Sequence, residues 1–184
     1  MGILYGKKVL SMEKTKKIVL TGPESVGKST LTKQLADHFK MPFIDEIART
    51  YIENLNRPYT KNDVLEIAKM QIEAEQNIIK QKPELVFIDT DLIITKIWLL
   101  HVYNDYPAWI DKELKLNPAF LHLLCYYDLP WQFDPVRENP EIRPYLFEKY
   151  QEEIEKLNLK SGIVKGVGET RFLNAVKIVQ NATL

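Results

Sequence analysis

The residues with the clearest chemical potential form a glycine-rich segment near the amino end of the chain. Gly22 to Ser29 fits the pattern G-x-x-x-x-G-K-[ST], with Lys28 directly before the serine. Glycines allow a loop tight enough to direct its N–H groups at an anion, and the following helix adds free N–H groups. In this pattern the lysine reaches the β- and γ-phosphates of a nucleotide, and the serine hydroxyl binds Mg²⁺. The segment therefore predicts a phosphate-binding loop for ATP and Mg²⁺.

The sequence around this loop supports the prediction. An apolar strand-like run precedes it, and a segment with apolar residues at helical spacing follows it, which is the context that a phosphate loop requires. The predicted nucleotide contacts are Gly22, Glu24, Ser25, Val26, Gly27, Lys28, Ser29 and Thr30. The pattern leaves open which molecule accepts the phosphoryl group.

Acidic residues follow two other apolar runs. The segment FIDEIART places Asp45 and Glu46 after one run, with Arg49 a helical turn later, and FIDTDL places Asp89 and Asp91 after another. Alternate residues of a strand point to the same side, so we expect Asp89 and Asp91 to face one pocket. A kinase needs one carboxylate to accept or orient the proton of the acceptor hydroxyl and another to hold the Mg²⁺ shell.

Cationic residues occur in a proline-rich segment, 129–144, which carries Arg137 and Arg143. We interpret about 129–146 as a loop or lid. Mobile cations of this kind neutralise charge on a transferred phosphoryl group and help to exclude water. Lys28, Arg137 and Arg143 are therefore the predicted catalytic cations.

The segments that must position these residues alternate between strands and helices. The predicted strands are 16–22, 41–46, 84–91, 120–128 and 162–168, and the predicted helices include 28–39, 60–81, 92–106 and 169–182. Thr60 and Asp63 resemble a capping box at the start of one helix. The alternation predicts an α/β fold with a five-stranded parallel sheet covered on both faces. Ligands of such sheets bind at the carboxyl ends of the strands.

Length and composition narrow the class of protein. With 184 residues, we expect one domain over 15–184 and an N-terminal extension over 1–14. A formal net charge of zero excludes the overall basic field that attracts nucleic acid or anionic lipid. No apolar run reaches the roughly 18 residues of a membrane span, so we expect a cytoplasmic protein. The single cysteine, Cys125, excludes an internal disulfide and is expected to be buried.

Other classes of phosphate-loop protein lack support. The chain has neither the N-K-x-D nor the D-x-x-G motif of GTPases and no signature motif of ABC-type ATPases. Motors of the AAA type need a longer chain and usually a further helical domain. A compact kinase-like domain with a lid remains.

Several segments together resemble the ribosylnicotinamide kinase domain of NadR-type proteins. They are GPESVGKSTL, DEIARTYI, FIDTDLIITKIW, DPVR and GETRFLNAV, and the resemblance extends over about residues 17–179. It implies a three-layer, nucleoside-kinase-like fold with strand order 2-3-1-4-5. It also implies phosphorylation of the 5′-hydroxyl of nicotinamide riboside by ATP and Mg²⁺, giving nicotinamide mononucleotide.

The resemblance also assigns roles to individual positions. Glu46 and Arg49 match the acid and the arginine of an E-x-x-R motif, and we expect both to contact the acceptor. Arg137 matches the lid arginine. Arg171 matches the arginine that opens the last helix, beside the turn where adenine should lie, so it is a predicted nucleotide contact.

The four acidic residues then receive the following expected roles. Glu46, or alternatively Asp45, accepts or orients the acceptor proton, and Asp45 is also a predicted substrate contact. Asp89 holds the Mg²⁺ shell together with Ser29. Asp91 orients the acceptor ribose or the metal-bound waters. Asp89 and Asp91 match the two acids of the family's D-T-D motif.

Two departures from the family keep alternatives open. Better-known members join a DNA-binding segment and an adenylyltransferase to this kinase, and this chain has room for neither. Those members also tend to carry an aromatic residue before the motif glutamate, where this chain has Asp45. Either another aromatic contacts the base or the acceptor is another nucleoside or a nucleotide. A third alternative is an ATP-binding sensor without fast phosphoryl transfer. The aromatic candidates are Tyr51, Trp98, Tyr103, Trp109 and Trp131.

Overall fold

A computed structural model describes residues 14–132 and 141–184. Residues 1–13 and 133–140 lie outside this description, and with them most of the predicted extension, the middle of the predicted lid and Arg137. The strands are β1 (Lys16–Thr21), β2 (Phe43–Ile44), β3 (Leu85–Asp89), β4 (Leu121–Cys125) and β5 (Ser161–Val164). The helices are α1 (Lys28–Phe39), α2 (Ile47–Glu53), α3 (Lys61–Ile79), α4 (Leu92–Tyr103), α5 (Trp109–Leu116), α6 (Arg143–Lys156) and α7 (Gly168–Thr183).

The five strands form one parallel sheet in the order β2-β3-β1-β4-β5, which confirms the expected fold class and strand order. Leu20 of β1 pairs with Asp89 of β3, and Thr21 pairs with Leu124 of β4. The carboxyl ends of the three central strands therefore meet at one edge of the sheet.

Both faces of the sheet are covered, which explains why its central strands are almost continuously apolar. All residues of β3 and β4 are buried. Ile18, Leu20 and Phe87 share one buried cluster with residues of α1 and α7. Val19 and Ile88 belong to a second cluster, against which side chains of α2 and α3 pack. Helices on both faces thus hold the carboxyl edge of the sheet rigid.

The start of α3 confirms the predicted capping box. The Thr60 hydroxyl accepts from the backbone N–H of Asp63, and the Asp63 carboxylate accepts from the backbone N–H of Thr60. Asp63 also accepts two hydrogen bonds from the Arg57 guanidinium and one from the Tyr51 hydroxyl. The bonds from Arg57, together with those from Thr60, hold the pKa of Asp63 well below its usual range. This network joins α2 to α3.

Several elements differ from the sequence-based expectation in their bounds, and three differences lie close to the site. Helix α2 is a separate helix that the sequence analysis did not assign. Helix α6 begins at Arg143, inside the segment interpreted as a lid. Strand β3 ends at Asp89 because Thr90 adopts a left-handed conformation with φ 71°. Within the described part of the chain, no helix has the length and apolar character of a membrane span.

Candidate active site

The glycine-rich segment forms a loop between β1 and α1, as predicted. Three of its residues have positive φ: Gly22 (147°), Ser25 (55°) and Gly27 (74°). Gly27 is also the N-cap of α1, so the loop leads directly into the positive end of that helix. These turns curl the backbone into the concave form that binds phosphate.

Position 22 requires glycine because the backbone of the phosphate loop lies very close to the backbone of β4. A Cβ at this position would lie 2.7 Å from the carbonyl oxygen of Cys125 at the end of β4. Cys125 is buried, as the sequence analysis expected, and burial raises its pKa to about 11. The loop can therefore lie directly on β4 only because Gly22 has no side chain.

We expect Gly22→Ala to destabilise the protein by about 2–4 kcal/mol, because it combines a left-handed backbone with a collision against β4. Gly168→Ala is the matched control, since it also has positive φ but its Cβ would meet no atom within 4 Å. That control should cost only about 1–2 kcal/mol. Urea unfolding measures both values, and equal losses in the two variants would contradict the close-approach argument.

Lys28 points back across the loop. Its Nζ donates to the carbonyl oxygens of Gly22 at 3.0 Å and Pro23 at 2.8 Å. The ammonium group therefore lies over the loop itself. Both acceptors are neutral carbonyls, so an incoming phosphate can replace them with a stronger, charge-assisted contact.

Asp89 lies at the end of β3 with its carboxylate fully buried. Neither carboxylate oxygen has a hydrogen-bond partner within the described part of the protein. Burial raises the pKa of Asp89 to about 6, although the charge of nearby Lys28 and the hydroxyl of Ser29 act in the opposite direction. A buried, unpaired carboxylate is costly, which indicates that the site is built for a cation.

Asp91 and Asp89 have different surroundings, and neither is among the residues that line the cleft. Thr90 has positive φ, so the alternation of an extended strand stops at Asp89, and the expected common orientation is lost. Asp91 instead caps α4 by accepting from the backbone N–H of Ile93, and its other oxygen accepts from His122 Nε2 at 2.9 Å. This carboxylate serves the local structure, and the structure gives no support to the expected contact with the acceptor.

Glu46 and Asp45, although adjacent, have different surroundings. Glu46 is the N-cap residue of α2 and lines the cleft with Arg49, whose Nε lies 4.0 Å from its carboxylate. Asp45 is exposed and forms a 2.9 Å ion pair with Lys33 of α1. The structure therefore brings Glu46 and Arg49 to the cleft and places Asp45 on the outer surface.

The segment that enters the predicted lid is tied to the phosphate loop. The Ser25 hydroxyl donates to the carbonyl of Gln132 at 3.1 Å and accepts from its N–H at 3.3 Å. Arg143 donates to the carbonyl of Leu129 and lies over the ring of Trp131. Arg143 thus braces the base of this segment and is not among the residues that line the cleft.

Arg171 connects three parts of the site and is almost completely buried. Its guanidinium donates to the carbonyl of Val26 in the phosphate loop, at 2.9 Å, and to that of Tyr126 after β4, at 3.0 Å. It also donates to the carboxylate of Asp128 at 2.7 Å and to the carbonyl of Gly166 at 3.1 Å. Asp128 accepts from the Gly166 N–H as well. Arg171 lines the cleft, and these bonds hold the turn before α7, where adenine is predicted to lie, in position against the phosphate loop.

We expect Arg171→Met to lower the free energy of unfolding by about 3 kcal/mol or more, because it removes the guanidinium donor from Asp128 Oδ1 and from the carbonyls of Val26 and Tyr126. If the variant folds, the KM for ATP should rise more than kcat falls, since the turn loses its position relative to the phosphate loop. Lys177→Met, on an exposed position of α7, is the control. An unfolding midpoint equal to that of the control would contradict this role of Arg171.

The cleft at the carboxyl edge of the sheet has a volume of about 470 Å³. Phe172 of α7 and Ile52 of α2 are among the apolar residues that line it. None of the five aromatic candidates from the sequence lines this cleft in the described part of the protein. The predicted loop residues that line it are Glu24, Ser25, Val26, Gly27, Lys28, Ser29 and Thr30.

Sequence reasoning missed two side chains of this region. Asp128 ends the apolar run that contains β4, and a carboxylate at the end of a predicted strand was the available signal. Tyr150 of α6 is buried, and its pKa is raised by burial and by the negative charges of Glu24 and Glu46. No sequence pattern marked Tyr150, because its place on a helix after the lid does not reveal that it approaches the phosphate loop.

The sheet order, the phosphate loop and the position of Asp89 define a P-loop domain with a kinase-like fold. The family model described as AAA domain matches residues 17–171, and the chain belongs to this family of P-loop domains. The sequence analysis had set motors of the AAA type aside, and the match to this family confirms that it recognised a compact P-loop domain correctly. A search of curated protein sequences found no match.

Solved structures share the fold at low sequence identity. A NadR protein in complex with NR has 23% identity and a TM-score of 0.74, and the match covers 94% of this chain and 52% of that chain. A thymidylate kinase from Ehrlichia chaffeensis has 15% identity and a TM-score of 0.68, with coverage of 91% and 100%. A deoxyadenosine kinase from M. mycoides has 14% identity and a TM-score of 0.58, with coverage of 91% and 100%. The chain spans about half the length of the NadR structures that it matches.

Proposed function

We propose that this protein is a kinase that uses ATP and Mg²⁺ to phosphorylate the 5′-hydroxyl of nicotinamide riboside, giving nicotinamide mononucleotide. The observation that carries the proposal is the buried carboxylate of Asp89. It lies beside Lys28 and Ser29 of the phosphate loop, which lower its pKa, but burial outweighs them and raises the pKa to about 6. A nucleotide-binding structural role alone offers no reason to maintain such a costly charge at this position.

The residues present fit both ATP and a magnesium ion. The loop from Gly22 to Thr30 supplies inward N–H groups, and Lys28 supplies the charge for the terminal phosphates. Asp89 and Ser29 supply the hard oxygen ligands that Mg²⁺ prefers. When bound there, the ion would neutralise part of the charge that develops on the transferred phosphoryl group. Arg137 keeps its predicted role as a lid cation.

Glu46 is the residue that we assign to the acceptor hydroxyl. It lines the cleft near the phosphate loop, and Arg49 lies close enough to orient its carboxylate. In the proposed reaction the acceptor oxygen forms a bond to the γ-phosphorus while the bond to the ADP oxygen breaks. The proton of the hydroxyl passes to Glu46, which later releases it to water. Lys28 stabilises the charge on the transferring group.

The acceptor side of the site supports nicotinamide riboside over a nucleotide. The charged side chains that line the cleft are of both signs, namely Glu24, Glu46, Lys28, Arg49 and Arg171. Glu46 is the carboxylate that we assign to the acceptor. The pyridinium ring of nicotinamide riboside is positively charged, whereas common nucleosides are neutral and nucleotides are negative. A carboxylate beside the acceptor therefore favours the cationic riboside. A NadR protein has been solved in complex with NR on this same fold.

A neutral nucleoside is the second candidate acceptor. The aromatic residue expected beside Glu46 is replaced by Asp45, and Asp45 faces Lys33 on the surface. The cleft thus lacks the expected stacking platform at this position. The fold is also that of kinases named for thymidylate and deoxyadenosine.

The test mixes the protein with ATP, Mg²⁺ and nicotinamide riboside and follows nicotinamide mononucleotide by mass spectrometry. We expect product at enzyme-like turnover. Reduced nicotinamide riboside, whose nicotinamide ring is uncharged, is the matched control substrate. It should show roughly tenfold lower kcat/KM, equal to about 1.4 kcal/mol of lost transition-state stabilisation.

A panel of neutral nucleosides and of thymidylate completes the experiment. A neutral nucleoside that reacts faster than nicotinamide riboside would establish the second candidate. Bound ATP without product from any acceptor would contradict the kinase proposal and would favour a sensor. Glu46→Gln should lower kcat by about 10²–10⁴-fold if Glu46 is the base.

A further inference from the structure

A histidine lies in the middle of β4, where a purely structural strand would carry an apolar residue. The other residues of β4 are leucines and Cys125, and His122 is completely buried among them. Its Nε2 donates to Asp91 Oδ2 at 2.9 Å, and its Nδ1 has no hydrogen-bond partner within the described residues. A buried imidazole with one unsatisfied nitrogen costs stability. The hydrogen bond to Asp91 therefore explains why a histidine occupies this buried position.

Asp91 is held from two separate elements. One carboxylate oxygen accepts from the Ile93 N–H and caps α4, and the other accepts from His122 of β4. His122 pairs with Val19 in the centre of the sheet, so the anchor is part of the most rigid layer of the fold. The position of Asp91 is consequently fixed relative to the sheet and relative to α4.

Thr90, between Asp89 and Asp91, has an unfavourable backbone. Its φ of 71° is rare for a β-branched residue, and such a conformation persists only where its surroundings over-determine it. The Thr90 N–H donates to the Leu20 carbonyl at 3.1 Å, which fixes one side of the turn. Asp91, held by His122, fixes the other side.

We propose that His122 is a positioning residue for the phosphoryl transfer proposed above, on which this inference rests. Through Asp91 it holds Thr90 in the left-handed turn that ends β3. That turn fixes the backbone on the carboxyl side of Asp89 and keeps its carboxylate on the face of Lys28. His122 touches neither nucleotide nor acceptor, since it lies on the opposite face of the sheet from Asp89 and acts only through this chain of contacts.

His122→Leu tests the proposal, because leucine suits the strand but cannot bond to Asp91. We expect kcat to fall by about 10–100-fold, the usual effect of losing a group that orients a metal ligand, with the KM for ATP nearly unchanged. His122→Gln retains an amide donor of similar reach and should keep most of the activity. Leu121→Ala, in the same strand but facing α1 and α7, controls for general loss of core packing.

Thr90→Gly added to His122→Leu separates positioning from packing. Glycine adopts positive φ without strain, so the turn no longer depends on the anchor. The double variant should recover most of the lost kcat. No recovery would overturn the inference, as would a kcat for His122→Leu equal to that of Leu121→Ala.

A structural readout makes the test independent of the kinase proposal. In a crystal structure of His122→Leu without nucleotide, Thr90 should leave the left-handed region and the Asp89 carboxylate should move. An unchanged positive φ overturns the inference whether or not the wild type is a kinase. If His122→Leu does not fold, Asp91→Ser replaces it, because serine still caps α4 but cannot reach His122. A normal kcat in that variant overturns the inference.

Discussion

Replacement of Lys28 by alanine should lower turnover by roughly 10³–10⁵-fold while the fold remains intact, the magnitude found when a cation that stabilises the transferring phosphoryl group is removed. The structure explains why the fold should survive. Among the residues that the structure describes, the Lys28 ammonium donates hydrogen bonds to the carbonyls of Gly22 and Pro23, at the open cleft, where water can replace it. Its charge is therefore available for the phosphates.

Steady-state kinetics and thermal unfolding of the same samples measure this prediction. Lys69→Ala, an exposed lysine of α3 that pairs with Glu66, is the matched control and should retain wild-type turnover. Lys28→Arg tests geometry as well as charge, because a planar guanidinium does not fit where a compact ammonium is bound. Activity above one tenth of the wild type in Lys28→Ala would refute the assignment of this loop as catalytic.

Most helices and strands could be predicted from the sequence because the signals for them are local. Gly22 and Gly27 mark the loop, Thr60 and Asp63 mark the start of α3, and apolar runs mark the buried strands. Strand order is not local, and it came from resemblance to a family. The structure confirmed it.

Two features of the candidate site could not be predicted from the sequence, and the first is side-chain direction that depends on a single backbone angle. The positive φ of Thr90 directs Asp91 away from Asp89, and the sequence Asp-Thr-Asp does not indicate this backbone angle. Arg171 matched a motif next to the nucleotide turn, but its partners come from the phosphate loop and from β4, which are distant in sequence. Such long-range pairings are invisible to spacing arguments.

Asp89 gives the second large effect, in which stability and activity change in opposite directions. Asp89→Asn removes a buried charge without changing the shape of the side chain. The folded pKa of about 6 lies above the ordinary aspartate pKa of 3.8, and this difference corresponds to at most about 3 kcal/mol. The variant should be more stable than the wild type by up to that amount at neutral pH.

The direction of the pH dependence of stability follows from the protonation of Asp89 in the folded and unfolded chains. Below about pH 4 the carboxyl group is protonated in both the folded and the unfolded chain, so burial of charge costs nothing. Between about pH 4 and 6 the unfolded chain loses its proton first, and the wild type is progressively destabilised. The advantage of Asp89→Asn should therefore be small at pH 4, grow up to about pH 6 and stay constant above it.

Urea unfolding between pH 4 and 8, with a chelator and without nucleotide, measures this curve. Asp37→Asn, an exposed position of α1, is the control and should leave the free energy of unfolding nearly unchanged at every pH. A stability gain that does not change with pH, or no gain at pH 8, would show that the Asp89 carboxylate is not an uncompensated charge.

Ligand addition should then reverse the order of stability. With saturating ATP and Mg²⁺ the wild type gains stability from binding to its folded state, whereas Asp89→Asn lacks the charge that the metal ion requires and gains less. Its kcat should fall by about 10²–10³-fold, as when one group that stabilises developing charge is removed. We therefore expect Asp89→Asn to be more stable than the wild type without ligand, to gain less stability from ATP and Mg²⁺, and to be nearly inactive. This combination is expected if the Asp89 carboxylate lowers the stability of the protein and is required for its function.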